Sequence, residues 1–182
     1  MTNGQFEPGD DRIVFADLGK GVYVIAISGR ANYAITPDLR SLTQKLSAES
    51  LTSPDKYSFI FDMENVETMD STFMGAMAGI ALRQKKDTST KIVLCNLNPH
   101  CQQLLSTLGV SHFVELRVAD PSTAQMKWQT ADKETLSKVE MTTMMLEAHE
   151  TLSNLVSSNE VQFAGVIDYL KKSLQDQSGK KN

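Results

Sequence analysis

The chain has 182 residues, 41% of them hydrophobic and 22% charged, with a net charge of −4. That length suits one ordinary domain with an appendage or two very small domains, and the apolar fraction suffices for a buried core, which argues against a disordered chain. The mild acidic excess disfavours a broad nucleic-acid or anionic-membrane surface, since either would want clustered Lys and Arg.

The two cysteines, Cys95 and Cys101, are too few and too close for a disulfide framework and read as reduced thiols. Residues 1–11 are polar and lack the basic start and apolar stretch of a signal peptide. No apolar run approaches the roughly 20 residues that span a bilayer. The expectation is a cytoplasmic protein with a flexible start over residues 1–11, no membrane insertion and no nucleic-acid partner.

Two short β-rich runs, 13–17 and 21–28, flank Leu18-Gly19-Lys20 and predict an opening hairpin. Thr36-Pro37 supplies an N-cap followed by proline at the first helical position, and Leu39, Leu42 and Leu46 continue at helical spacing. After the breakers Thr52-Ser53-Pro54-Asp55, residues 57–61 predict a buried strand, 66–69 its extension beyond a turn, and 71–85 a helix. Residues 91–96 read as a strand, 99–108 as a helix closed by Gly109 at C′, and 113–118 as a last strand. Strands alternating with helices at short spacing imply an α/β sandwich whose mixed sheet is largely parallel with an antiparallel start.

The chain changes character near residue 120. All five prolines lie at or before Pro121, every arginine at or before Arg117, and only Gly165 and Gly179 follow among the glycines. Eleven cations face fourteen carboxylates before residue 121 and seven face eight after it, so the shift is in structure-breaking residues rather than charge. Leu136, Val139, Leu146, Leu152, Leu155 and Val156 outline one amphipathic helix, and Val161, Phe163, Val166, Ile167, Leu170 and Leu174 a second. Ser157-x-x-Glu160 fits a capping box and favours a helical hairpin. One continuous helix in a coiled coil is the alternative, with Ser153 and Glu160 badly placed in its seam.

The most informative stretch runs from residue 57 to residue 83. It joins the buried strand to a helix through Met69-Asp70-Ser71-Thr72. Gly75, Ala76, Ala78 and Gly79 shrink the helix surface, so its backbone can lie close to the sheet, while Phe73, Met77 and Ile80 offer an apolar face. Asp70 and Ser71 fall at a helix start, where N–H groups are unsatisfied and the dipole is positive. Ser71 has two readings there: an N-cap, or a phosphorylation site whose added charge of about −1.5 to −2 a helix start tolerates. Asp70 reads as a cap or turn residue.

These residues resemble the STAS domain, shared by bacterial anti-sigma factor antagonists and the cytoplasmic parts of sulfate transporters. The resemblance runs from about residue 13 to residue 118. It rests on the strand 22–29 ending in glycine, on Phe59-Ile60-Phe61-Asp62, on Met69-Asp70-Ser71-Thr72-Phe73-Met74-Gly75, and on Leu104-Leu105-Ser106-Thr107-Leu108-Gly109-Val110. It implies that Ser71 corresponds to the serine phosphorylated by an anti-sigma factor with serine kinase activity, and that a serine phosphatase resets it. Asn32, Asp70, Thr72, Phe73 and Met74 would then form the partner-binding surface around it. Two positions depart from the family pattern. Asn32 stands where many antagonists have an acidic residue, and Phe73, a bulky apolar group, where many have glycine.

The division expected is a flexible start over 1–11, a STAS-like domain over 12–120, a helical extension over 121–177 and a loose end over 178–182. Other constellations are weak. No Gly-x-Gly-x-x-Gly, P-loop or Gly-x-Ser-x-Gly pattern occurs, and His100, Cys101, Cys95 and His112 lack paired metal-ligand spacing. No cofactor, metal or catalytic residue is expected. His149 falls between Glu147 and Glu150, where a solvated face is the default, and Met126, Met141, Met144 and Met145 read as helix packing or an adaptable surface. The function expected is a non-enzymatic partner switch. Its rival is a scaffold subunit of a transporter or signalling complex that needs no phosphorylation and forms a homodimer through its C-terminal helices.

Overall fold

The computed structural model describes residues 12–51, 56–118 and 126–179. Expectations for residues 1–11, for the breaker run at 52–55, for Pro121 and for 180–182 lie outside the described residues. In chain order the elements are β1 (Arg12–Asp17), β2 (Val22–Ala31), α1 (Thr36–Leu51), β3 (Ser58–Met69), α2 (Ser71–Thr88), β4 (Ile92–Cys95), α3 (Pro99–Thr107), β5 (Val114–Arg117), β6 (Gln129–Thr130), α4 (Lys138–Ser153) and α5 (Ser157–Gly179).

The strands form one sheet in the order β5-β4-β3-β2-β1-β6. β1 and β2 pair antiparallel from Arg12↔Ser28 to Asp17↔Tyr23, as the opening hairpin requires. β2, β3, β4 and β5 are mutually parallel, each joined to the next through a helix. The short β6 lies antiparallel on β1 and was not foreseen, because two residues carry no periodic signal.

The two strand segments expected at 57–61 and 66–69 are one strand. β3 stays paired with β2 as far as Ala31↔Met69, and the expected turn appears only as register shifts between Ala26 and Ser28 and between Gly29 and Arg30. This carries β3 directly to the start of α2. Phe59, Phe61 and Met63 alternate into the core, where they meet Ile25, Ile27, Leu39, Met77, Ile92, Leu94 and Leu105. Asn98 caps α3 by accepting from the Cys101 N–H at 2.8 Å, with Pro99 following it. Gly109 takes the left-handed conformation (φ +73) expected at C′, and a 3₁₀ turn over Val110–His112 delays the last strand to Val114.

The tail is a helical hairpin. The chain breaks over residues 154–156, which sets aside the continuous helix. The capping box forms one helix earlier than expected. Ser137 Oγ accepts from the Glu140 N–H and Glu140 Oε2 from the Ser137 N–H, whereas Ser157 is already helical. The face expected for α4 holds at Leu152 and is otherwise corrected. Val139 is exposed, and the buried residues are Thr142, Met144, Ala148, His149 and Leu152. On α5, Val161 is exposed while Phe163 and Leu170 are buried. Leu152 and Phe163 belong to the same hydrophobic core as the sheet, so the extension shares that core.

Candidate functional site at the start of helix α2

The start of α2 is organised by Asp70. Its Oδ1 accepts from the Phe73 N–H at 2.8 Å, which makes Asp70 the N-cap, and its Oδ2 accepts from the Tyr33 N–H at 2.8 Å. The Asp70 N–H donates to the Ala31 carbonyl at 3.0 Å. One carboxylate thus ties the helix to the loop that follows β2. Asn32 lies in that loop, where its Oδ1 accepts from the Ala34 N–H at 2.9 Å and its carbonyl from the Thr36 hydroxyl at 2.8 Å.

Because Asp70 supplies the cap, Ser71 is the first helical residue and its hydroxyl is not spent on the helix end. That corrects the N-cap reading of Ser71. The hydroxyl instead meets His149 of α4, with Oγ and Nε2 2.9 Å apart. His149 Nδ1 lies 2.7 Å from the Met145 carbonyl oxygen, which can only accept, so Nδ1 carries a proton. In the neutral ring Nε2 is therefore the acceptor and Ser71 the donor, an assignment that follows from the bonding pattern. The ring also meets Phe163 of α5 edge-on, with centroids 5.5 Å apart. The solvated face expected for His149 is thus overturned: the residue is 6% exposed.

One turn further along the same face of α2 is Gly75. A Cβ there would stand 2.3 Å from the Ala148 carbonyl oxygen and 2.7 Å from its carbon, so the backbones of α2 and α4 touch. The glycine expected to let α2 approach the sheet lets α4 approach α2.

Of the residues expected around Ser71, Asp70 and Asn32 are partly exposed. Phe73 is 0% exposed, with Met77, Ala78 and Ala81 of α2 buried in the same core. Thr72 and Met74 are buried as well. In this conformation these three side chains lie beneath the surface. Sequence reasoning missed His149 and Ala148. The signal that could have found them is the i, i+4, i+8 spacing of Met144, Ala148 and Leu152, a stripe that shares only Leu152 with the face expected from the sequence.

Elsewhere, Cys95 and Cys101 are buried free thiols, and burial pushes both above the ordinary thiol range. His100 Nε2 lies 3.4 Å from the Thr68 hydroxyl. Among the described residues no group of His, Cys, Asp and Glu is arranged to hold a metal, and no helix is long and apolar enough to cross a membrane. A groove of about 370 Å³ between α1 and α4 is edged by Arg40, Glu134, Glu140 and Glu147. The Arg40–Glu147 ion pair at 2.6 Å and the Ser41 hydroxyl donating to Glu134 tie its walls together.

A parallel sheet opened by an antiparallel hairpin, with an Asp-Ser pair where the longest strand meets a helix, defines an α/β fold whose notable side chains sit at one helix start. The chain belongs to the STAS domain family: the family model matches residues 18–122. Residues 123–182, with α4 and α5, lie outside that span. The structure of the anti-sigma factor antagonist SpoIIAA in its unphosphorylated form is similar in fold, with a TM-score of 0.51 and 16% identity, covering 62% of this chain and 91% of that one. The Bacillus cell fate determinant SpoIIAA in its phosphorylated form has a TM-score of 0.47 at 16% identity, over 62% of this chain and 95% of that one. Murine Slc26a9, an anion transporter in the inward-facing state, has a TM-score of 0.47 at 14% identity, over 62% of this chain and 21% of the transporter. No curated protein matches the chain.

Proposed function

We propose that this chain is a partner-binding module of the anti-sigma factor antagonist kind, switched by phosphorylation of Ser71. The observation that supports the reading is the division of labour at the start of α2: Asp70 caps the helix, so the helix end does not depend on the Ser71 hydroxyl, which bonds His149 instead. The partner is an anti-sigma factor with serine kinase activity, bound in the cytoplasm while Ser71 is unmodified. Phosphate on Ser71 adds about two negative charges beside Asp70, and a loss of about 4 kcal/mol weakens such a complex roughly a thousandfold. A serine phosphatase restores binding. The helix survives modification because its N-terminus favours an anion, while the complex does not. Asn32, Asp70 and Ser71 are the partly exposed part of the docking surface, with Thr72, Phe73 and Met74 supporting it from below. The test is capture of the cognate kinase by the full chain: Ser71→Asp abolishes it and Ser71→Ala keeps it, whereas equal binding by both overturns the switch.

A second reading, a scaffold that works without phosphorylation, is favoured by one observation: α4 lies over Ser71. In that reading the exposed Val161 and Tyr169 of α5 serve self-association. Solution mass tests it. A dimer dispersed by Val161→Asp supports the scaffold, and a monomer for both proteins counts against it.

A further inference from the structure

The contacts between α2 and α4 form one continuous patch. Ser71 meets His149 at 2.9 Å, and one turn along, Gly75 meets the Ala148 backbone. His149 is held on two further sides, by the Met145 carbonyl and by Phe163. With the helix backbones touching at Gly75, the imidazole is held against the Ser71 hydroxyl, which is left only partly exposed. Kinases transfer phosphate to a hydroxyl they can reach in line, and the product carries a phosphorus and three further oxygens beyond Oγ. With α4 docked, His149 stands in the hydroxyl's hydrogen-bonding direction, where an in-line phosphoryl donor and the added oxygens of the product would compete with it.

We propose that the α4–α5 hairpin is an intramolecular cover of Ser71. It occupies the α2 face in cis, leaves before phosphate can be transferred, and is kept off α2 by the phosphate afterwards. This rests on the reading of Ser71 as the modified serine. In the transfer, the Oγ–Pγ bond forms as the bond from Pγ to the β–γ bridging oxygen of a nucleoside triphosphate breaks. The diphosphate leaves with that electron pair, and the hydroxyl proton, now directed at His149, passes to a base of the kinase.

The hairpin has attachments that do not involve Ser71. On the side where α4 begins, the Ala131 N–H donates to the Ile13 carbonyl at 3.0 Å and the Glu134 N–H to Asp38 Oδ1 at 2.8 Å. At the turn, Asn159 Nδ2 donates to the Leu108 carbonyl at 3.0 Å. A helix displaced from α2 therefore stays close by, and an external partner for the same face competes with a ligand at high effective concentration. Met144, Ala148 and Leu152 are buried in the docked state, so the covered state is the resting one.

Amide hydrogen exchange on the full chain tests this, comparing the wild type with Ser71→phosphoserine made by site-specific incorporation during translation. Gly75→Leu, which forces a side chain into the Ala148 backbone, shows what a released α4 looks like. The expected result is exchange about tenfold faster or more across residues 138–153 in the phosphoserine protein, approaching Gly75→Leu, with β2 and β3 still protected. Wild-type protection of α4 in the phosphoserine protein would overturn the cover and leave the switch reading standing. Loss of protection in β2 and β3 together with α4 would also overturn it, since the phosphate would then unfold the domain rather than release a cover. The switch reading fails separately, if the cognate kinase binds Ser71→Asp and Ser71→Ala alike.

Discussion

The Ser71 hydroxyl and the His149 imidazole are 2.9 Å apart across 78 residues of chain, the one joining the start of α2 to the middle of α4. Neither group is near its partner in sequence, and His149 is fixed by a second bond to the Met145 carbonyl, so the pair is a built contact between core and extension.

Removing the imidazole leaves a buried void beside Phe163 as well as a hydroxyl without its acceptor. His149→Ala is expected to cost about 2–4 kcal/mol of stability. Ser71→Ala, which leaves the ring nitrogen unpaired, should cost about 1–3 kcal/mol. Urea unfolding of both single variants and the double variant measures their coupling, expected at about 1 kcal/mol. Strict additivity would contradict the hydrogen bond.

Two glycines on α2 have opposite expectations. Alanine is intrinsically better in a helix by about 1 kcal/mol. At Gly79 an added Cβ meets nothing within 4 Å, so Gly79→Ala should gain about 0.5–1 kcal/mol. At Gly75 the Cβ would stand 2.3 Å from a backbone oxygen, so overpacking outweighs the propensity and Gly75→Ala should lose about 1–3 kcal/mol. Thermal melts of the two variants give the comparison directly, and a shift of the same sign in both would contradict the packing of α4 on α2.

Asp70→Ala removes acceptors from the Phe73 and Tyr33 N–H groups together. The expected loss is about 1–2 kcal/mol, with Asp70→Asn losing less because its amide oxygen can still cap. Equilibrium denaturation of the two variants decides it.

Alkaline pH should weaken the fold. Burial, followed by the hydrogen bond to Asp87, raises the Tyr57 hydroxyl above its ordinary 10.0. Burial likewise raises Cys95 and Cys101 above 9.0. Each group holds its proton more tightly folded than unfolded, so the stability it contributes is complete below the unfolded value and falls as pH climbs past it. The urea midpoint should therefore be lower at about pH 10.5 than at about pH 8. Tyr57→Phe and Cys→Ser at both positions should flatten the difference.

The α/β alternation was legible in the chain because each core helix carries its own start signal. Thr36-Pro37, Asp70-Ser71 and Asn98-Pro99 all stand at the helix beginnings. The seam between core and extension was not legible. His149 sits between two glutamates on a helix of weak amphipathicity, and its burial depends on Gly75, distant in sequence. Local pattern assigns such a residue to solvent, and only the tertiary packing reverses that. Phe73 misled in the opposite sense: its place beside Ser71 in sequence suggested the surface, but two positions along a helix turn the side chain by about 200°, into the core.

Whether Ser71 carries the switch is read by mass spectrometry of the protein isolated from its own cells with phosphatases inhibited, at the peptide that contains Asp70-Ser71-Thr72. The expected result is a fraction of molecules bearing one phosphate on Ser71. Ser71 unmodified under every growth condition, or phosphate confined to Thr72, would contradict it.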